Sequence, residues 1–193
     1  MRRLFTPIVL LTFLFPLFAS GATKVFFEKR DGLWYEKSSD VPFTGEVDGI
    51  DQGSFKDGKR EGPWIEYSEN GQVFWKRTYK DGKLDGPSVT FHEDGRYAAK
   101  QNYKDGTFNG PYELFYENGQ QRKKTNYKDG KIDGPYVSFY DNGQLEDKGN
   151  YKDGLKEGPW VFFNKDGIKR VTKDKHGFDE GSGTYRNGKK ISD

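Results

Sequence analysis

The sequence predicts an all-β protein, in which an open, elongated antiparallel sheet is built from 24-residue β-hairpin repeats and is preceded by a signal peptide. The first observation is a repeat of fixed length, and the second is a tight-turn signal at both ends of a short aromatic strand pattern. The third is composition. A chain with 32% hydrophobic and 32% charged residues is too polar for a thick core, whereas 17% aromatic residues and 25 glycines suit a thin sheet.

Residues 1–22 have the layout of a secretory signal peptide, with two arginines, an apolar run and small residues at the end. The run from Ile8 to Phe18 is short for a membrane span, which needs about 20 residues, although retention as an anchor is the alternative. We expect cleavage after Gly21 or Ala22 and export to the periplasm, the cell envelope or the outside. The chain has no cysteine, so it has no lipoprotein attachment site and no disulfide framework.

Residues 55–174 contain five copies of the 24-residue repeat, and each copy carries three markers. The first marker is an aromatic residue followed by Lys-Asp-Gly, and it begins at Phe55, Tyr79, Tyr103, Tyr127 and Tyr151. The second is Gly-Pro at Gly62, Gly86, Gly110, Gly134 and Gly158. The third is Asn-Gly or Asp-Gly at Asn70, Asp94, Asn118, Asn142 and Asp166. Residues 23–54 and 175–193 are degenerate and are predicted to cap the ends of the sheet.

Each copy is predicted to form two antiparallel strands and two tight turns. The strand after Gly-Pro reads "WIEYS" in the first copy, and its period of two separates two faces. The face of Ile65 and Tyr67 is apolar in every copy except at Glu113, so we expect it to be packed. The face of Trp64 is mixed, so we expect it to be half-exposed. Asn-Gly and Asp-Gly predict hairpin turns in which both residues have positive φ. With strands about 4.8 Å apart, five copies extend roughly 50 Å.

The repeated string "YKDGKIDGPYVSFYDNGQ", residues 127–144, resembles the MORN-repeat variant of bacterial YwqK-type proteins, which are classed as antitoxin components of toxin–antitoxin modules. The lead-in "RDGLWYEKSSDVPFTGEVDG" resembles the usual start of that family, and the resemblance covers Lys29 to Gly167. It implies a β-hairpin repeat sheet that acts by binding another protein. Antitoxin membership would make the chain an inhibitor that covers a toxin surface, and export would then require an exported partner.

An aromatic row on the mixed face is the candidate partner-binding surface. Half-exposed aromatic side chains with polar neighbours suit protein interfaces and sugar stacking. The alternative is that these rings pack against one another across adjacent strands. The candidate residues are Trp64, Tyr112, Tyr116, Tyr136, Tyr140 and Trp160.

A non-enzymatic scaffold that binds another protein is the function that these observations favour, and a cell-envelope glycan- or membrane-associated binding module is the alternative. Without Arg2 and Arg3, the 32 basic residues fall to 30, which equals the 30 acidic residues. A neutral mature chain favours neither nucleic acid nor an anionic membrane as the main partner.

No catalytic, cofactor or metal site is predicted. The repeated Asp57, Asp81, Asp105, Asp129 and Asp153 resemble calcium ligands of some solenoids, but Asp before Gly also forms tight turns, and turns about 10 Å apart cannot share an ion. His92 occupies a variable strand position, which predicts a solvated surface residue, and His176 lies in the broken C-terminal copy. Paired carboxylates such as Glu69 and Asp94 are not distinguished from the other acids.

Overall fold

The computed structural model describes residues 27–49, 51–170 and 181–192. The predicted signal peptide and His176 lie outside these residues. Within them the secondary structure is entirely β, and there is no helix long and apolar enough to cross a membrane. The strands are β1 Phe27–Arg30, β2 Leu33–Glu36, β3 Gly45–Val47, β4 Asp51–Lys56, β5 Lys59–Tyr67, β6 Val73–Lys80, β7 Lys83–Phe91, β8 Tyr97–Lys104, β9 Thr107–Phe115, β10 Gln121–Lys128, β11 Lys131–Ile132, β12 Gly134–Phe139, β13 Leu145–Lys152, β14 Leu155–Phe162, β15 Gly183–Arg186 and β16 Lys189–Ser192.

Strands β3 to β16 form a single 14-stranded antiparallel sheet whose order follows the sequence, so consecutive strands are neighbours. Strands β11 and β12 both pair with β10 and together correspond to one strand of the other repeats, with Asp133 at the interruption. Strands β1 and β2 form a separate hairpin. The sheet has an edge at β3 and another at β16, which confirms the prediction of an open antiparallel sheet.

The Lys-Asp-Gly turns have the geometry that the sequence predicts. In the five repeats the aspartate has a φ of 49–51° and the following glycine a φ of 73–85°. Positive φ at both central residues defines a type I′ turn, whose twist matches that of the flanking strands. The same conformation occurs at Asp31–Gly32 and at Asn187–Gly188, in the two flanking segments.

The turn that follows each strand after Gly-Pro differs from the prediction, because only its glycine has positive φ, as at Gly71 with 81°. In the first copy the N–H of Gly71 donates to the carbonyl of Ser68 at 2.8 Å, and the N–H of Ser68 donates to the carbonyl of Gln72 at 2.8 Å. These bonds close a three-residue loop, a type I turn followed by a left-handed glycine. The backbone of Asn70 keeps a negative φ, and its side-chain Oδ1 accepts the N–H of Gln72 at 3.0 Å.

The two faces of the sheet differ in burial. The packed face carries Trp64, Tyr79 and their equivalents in the other repeats. Its rings contact one another, and two pairs meet edge to face with centroids 4.9 Å apart, Phe55–Trp64 and Tyr151–Trp160. The end segments cover this same face: Trp34 and Phe43 pack on the Phe55 cluster, and Tyr185 belongs to the Trp160 cluster.

The expected assignment of the two faces is therefore wrong. The face of Ile65 and Tyr67, termed the open face, was expected to be packed, but its side chains are only half-buried. Every buried hydrophobic side chain of the described residues in the 14-stranded sheet lies on the packed face. Two features bury the packed face: Trp64 and Trp160 lie over the glycines of the preceding strands, and the end segments add their own rings to the same face.

Candidate binding surface

The two tryptophans of the predicted aromatic row are part of the core. Trp64 is 2% exposed and Trp160 is 1% exposed, so the expectation that they are half-exposed is wrong. Each indole lies over a glycine of the preceding strand, Gly53 or Gly149, where an added Cβ would overlap the ring. Trp64 Nε1 donates to the Ser54 carbonyl at 3.1 Å, and Trp160 Nε1 donates to the Asn150 carbonyl at 3.0 Å. A buried indole N–H therefore has a partner in both cases.

Tyr112 and Tyr136 are half-buried on the same face and pack against rings of the following strands. The centroids of Tyr112 and Tyr127 are 5.0 Å apart, and those of Tyr136 and Tyr151 are 5.3 Å apart. Burial raises the pKa of the Tyr136, Tyr127 and Tyr151 hydroxyls. Packing between strands, the alternative to partner binding, is thus observed for this row.

Tyr116 and Tyr140 connect successive repeats. Tyr116 Oη donates to the Phe139 carbonyl and Tyr140 Oη to the Phe163 carbonyl, both at 2.9 Å. His92 occupies the same repeat position, and its Nε2 lies 3.2 Å from the Phe115 carbonyl. His92 is therefore half-buried and in contact with the next repeat, which corrects the expectation of a solvated residue. Binding of a partner by these tyrosines stays a prediction.

The open face carries a row of lysines that the sequence analysis missed. Residues directly opposite in antiparallel strands point to the same face. Lys76 pairs with Val89, Val89 with Lys100, and Lys100 with Glu113, and the same order continues through the later strands. The lysine row consists of Lys76, Lys100, Lys124 and Lys148, one in each of the first four repeats. The signal was present in the sequence, because these lysines are 24 residues apart.

An aromatic row lies beside the lysine row. Each repeat has an aromatic residue two positions after Ile65 or its equivalent, and residues two apart in a strand lie on the same face. These half-buried residues are Tyr67, Phe91, Phe115, Phe139 and Phe163. Tyr97 extends this row: it is 46% exposed, and its ring centroid lies 5.4 Å from that of Phe91. The open face therefore presents an apolar stripe parallel to a cationic one.

Two lysines of the row, Lys76 and Lys100, lie close to these rings. Lys100 Nζ lies 3.8 Å from the centroid of Tyr97, a distance that suits a cation–π contact. Lys124 Nζ forms an ion pair with Glu113 at 3.0 Å. A shallow groove of about 520 Å³ runs along this part of the face, and its walls include Pro111, Glu113, Lys124, Pro135, Val137 and Lys148. With four lysines to one glutamate, the centre of the open face is cationic although the mature chain is predicted to be neutral.

A second polar cluster lies on the packed face and is closed. Ser138 is buried, and its hydroxyl bonds to Asp147 and, at 3.0 Å, to Glu146 Oε2. Burial raises the pKa of Asp147, against the lowering effect of the Ser138 hydrogen bond, and burial lowers the pKa of the neighbouring Lys123. A buried serine held by two carboxylates is not accessible to a substrate.

The repeated aspartates are turn residues, as their φ values show. The described residues contain no group of three or more histidine or acidic side chains that could hold a metal ion. Three of these turns are also tied to the preceding repeat by a carboxylate: the N–H of Asp81 donates to Glu61 Oε2 at 2.8 Å, and those of Asp105 and Asp153 donate to Asp85 Oδ2 and Asp133 Oδ2, both at 3.1 Å.

Comparison with known families identifies the repeat. Residues 60–81, 108–129 and 132–153 match the family described as MORN repeat variant. The matched segments start 48 and 24 residues apart, in register with the structural repeat. Repeats of this family are typically non-enzymatic modules. No curated protein shows significant similarity to the chain.

Proposed function

We propose that the protein is a non-enzymatic repeat scaffold that binds another protein through its open face. The observation that carries this proposal is the pair of parallel rows, one aromatic and one cationic, on a sheet face that no second layer covers within the described residues. Contiguous half-exposed apolar side chains with charged neighbours are typical of interaction surfaces. The MORN-variant repeats support a scaffold, because stacked repeats generate long surfaces.

The open face suits a protein better than the packed face does. On the packed face, Trp64 and Trp160 already fill the space above their glycines, so an incoming side chain would have to displace them. On the open face, apolar side chains remain half-accessible without any rearrangement. A surface that is formed before binding costs less to order on association.

The antitoxin-like role and the export of the chain are further parts of the proposal. The resemblance to YwqK-type proteins supports a toxin as the partner, and the composition of residues 1–22 supports cleavage and export of the chain, which would then require an exported partner. Intact-mass measurement of the full chain, expressed with a C-terminal tag in its native host, tests the export step. We expect a mass that corresponds to loss of about residues 1–22, recovered outside the cytoplasm; a cytoplasmic chain of full mass contradicts it.

The binding proposal is tested by co-purification with the same tagged chain. Two triple variants are matched in charge: Lys76→Glu, Lys100→Glu and Lys148→Glu change the open face, and Lys56→Glu, Lys80→Glu and Lys104→Glu change exposed turn lysines. We expect one stoichiometric protein partner that is retained by the turn variant and lost by the open-face variant. The turn lysines lie four residues along the strands from the lysine row, or about 13 Å. Equal capture by both variants therefore excludes the lysine row as the binding site, and recovery with wall polymer or membranes in place of a protein overturns the proposal.

A further inference from the structure

The spacing of the lysine row constrains what the open face can bind. Lys76, Lys100 and Lys124 lie on β6, β8 and β10, which are separated by β7 and β9. With antiparallel strands about 4.8 Å apart, the Cα atoms of successive lysines of the row lie about 10 Å apart across the sheet. A partner that pairs with several of them must therefore present anionic groups at about 10 Å intervals on one side.

An extended peptide does not meet this condition. Its residues rise about 3.3 Å each and alternate between two sides, so acidic groups on one side recur at about 6.6 or 13 Å. An α-helix does meet it, because seven residues rise about 10.5 Å and complete nearly two turns. Acidic residues at every seventh position of a helix share one face, as in a heptad repeat.

The aromatic row favours a helix for a second reason. The helix that pairs with the lysines also needs an apolar stripe beside its acidic one, because Phe91, Tyr97 and Phe115 lie next to Lys76 and Lys100 on the open face. The centroid of Tyr97 is 6.3 Å from that of Phe115 and 5.4 Å from that of Phe91, so the three rings form one continuous surface. An amphipathic helix has an apolar stripe of this kind at positions three and four residues apart.

We infer that the open face binds an amphipathic α-helix of a partner protein, with acidic residues seven positions apart that pair with Lys76, Lys100 and Lys124, and with an apolar stripe on Phe91, Tyr97 and Phe115. The inference rests on the proposed protein-binding function and specifies the partner's chemistry. Sheet twist of about 20° per strand limits a straight helix to two or three successive lysines. Glu113, which pairs with Lys124 at 3.0 Å, gives up this contact to the helix carboxylate.

Two peptides of equal composition test the inference against the full-length chain. Both are amphipathic helices of about 21 residues with the same apolar stripe; one carries glutamate at every seventh position and the other has its glutamates distributed around the helix. Fluorescence anisotropy of labelled peptides measures affinity. We expect the heptad peptide to bind at least about tenfold more tightly than its isomer, with a salt-dependent affinity.

Variants of the chain assign the site. Lys76→Glu with Lys100→Glu is expected to lower the affinity for the heptad peptide by about tenfold or more, whereas Lys80→Glu with Lys104→Glu leaves it unchanged. Thermal unfolding shows whether both double variants are folded. Equal binding of the two peptides overturns the helix inference, as does an equal effect of the two double variants. Binding to phosphatidylserine vesicles and not to the peptide also overturns it. If a natural partner is still captured through the open face, the scaffold proposal stands and only the helix inference fails.

Discussion

At the scale of single residues, the packed face is built from pairs whose sizes compensate. A tryptophan lies over the glycine of the preceding strand in two places, Trp64 over Gly53 and Trp160 over Gly149. Where the preceding strand carries a larger side chain, the residue at the tryptophan position is smaller, as in Ser88 opposite Arg77. In the pair of Tyr112 and Gln101, both side chains are of intermediate size. Volume is thus conserved between neighbouring strands, which close packing requires.

A double-mutant cycle at Trp160 tests this compensation. Gly149→Thr places a branched side chain beneath the indole and is expected to lower the free energy of unfolding by about 2 kcal/mol, since overpacking forces rings and backbone to shift. Adding Trp160→Tyr recreates the Thr125 and Tyr136 combination of the preceding repeat. We expect the double variant to recover at least about 1 kcal/mol relative to the sum of the single effects. Urea denaturation measures all four chains, and additive effects contradict the pairing.

Asp147 gives the packed face a predictable pH dependence. Because burial raises its pKa in the folded state, the folded chain binds more protons than the unfolded chain above the usual pKa of an aspartate. The stability that this group contributes is therefore present at low pH, and it is lost as the pH rises from the usual pKa of an aspartate through the raised pKa of Asp147. We expect Asp147→Asn to raise the melting temperature at about pH 7 and to have a smaller effect at about pH 4. Thermal unfolding across this range is the measurement, and an equal shift at both ends contradicts the assignment.

At the scale of the hairpin, the two turns of a repeat use similar residues in different ways. The Lys-Asp-Gly turn needs a left-handed aspartate, whereas the Asn-Gly turn needs an Asn or Asp side chain that accepts an N–H two residues on, as Asn118 does from Gln120 at 3.0 Å. The dipeptides look alike in the sequence. Their difference comes from loop length, two residues in one turn and three in the other, and loop length depends on strand register.

Substitutions at Asp105 separate these two roles. Asp105→Ala is expected to destabilise the chain by about 1 kcal/mol, because alanine disfavours the φ of 50° at this position. Asp105→Asn is expected to be near neutral, since asparagine adopts left-handed φ readily. The matched control is Asn70→Asp, which keeps the side-chain acceptor for the N–H of Gln72 in the other turn. Chemical denaturation measures the three variants, and equal stability of the alanine and asparagine variants contradicts the role of φ.

At the scale of the whole molecule, the period and the turn dipeptides determine the strand order, and both are local signals that the sequence displays. The burial of the faces is not local. Trp64 depends on Gly53 and Trp160 on Gly149, eleven residues earlier and on another strand, so strand alternation alone favoured the wrong face. The sequence analysis missed the lysine row for a related reason, because the net charge is a sum over the whole chain. The row forms only when strand pairing aligns Lys76, Lys100, Lys124 and Lys148 on one face.

Because each repeat contacts its neighbours in sequence, removal of one whole repeat is expected to leave a folded sheet, provided that the new neighbours match in size. Deletion of residues 103–126 meets this condition. After this deletion, Tyr136 takes the position of Tyr112 and lies opposite Gln101. The pair at the junction is therefore again a glutamine and a tyrosine. The carboxylate of Asp85, which now accepts the N–H of Asp105 at 3.1 Å, would accept the N–H of Asp129 in the same way.

Deletion of residues 79–102 has the same length but creates a mismatch. It removes Ser88 and brings Tyr112 against Arg77, whose guanidinium lies 3.4 Å from the ring centroid of Trp75 and fills that side of the strand. We expect cooperative urea unfolding for both deletions, with the 79–102 deletion less stable by about 2 kcal/mol. Arg77→Gln, which restores the Gln101 and Tyr112 type of pair, should return most of this loss. If the two deletions are equally stable, size matching between neighbouring strands does not decide which repeats can be joined, and the fold depends on backbone pairing and turn geometry alone.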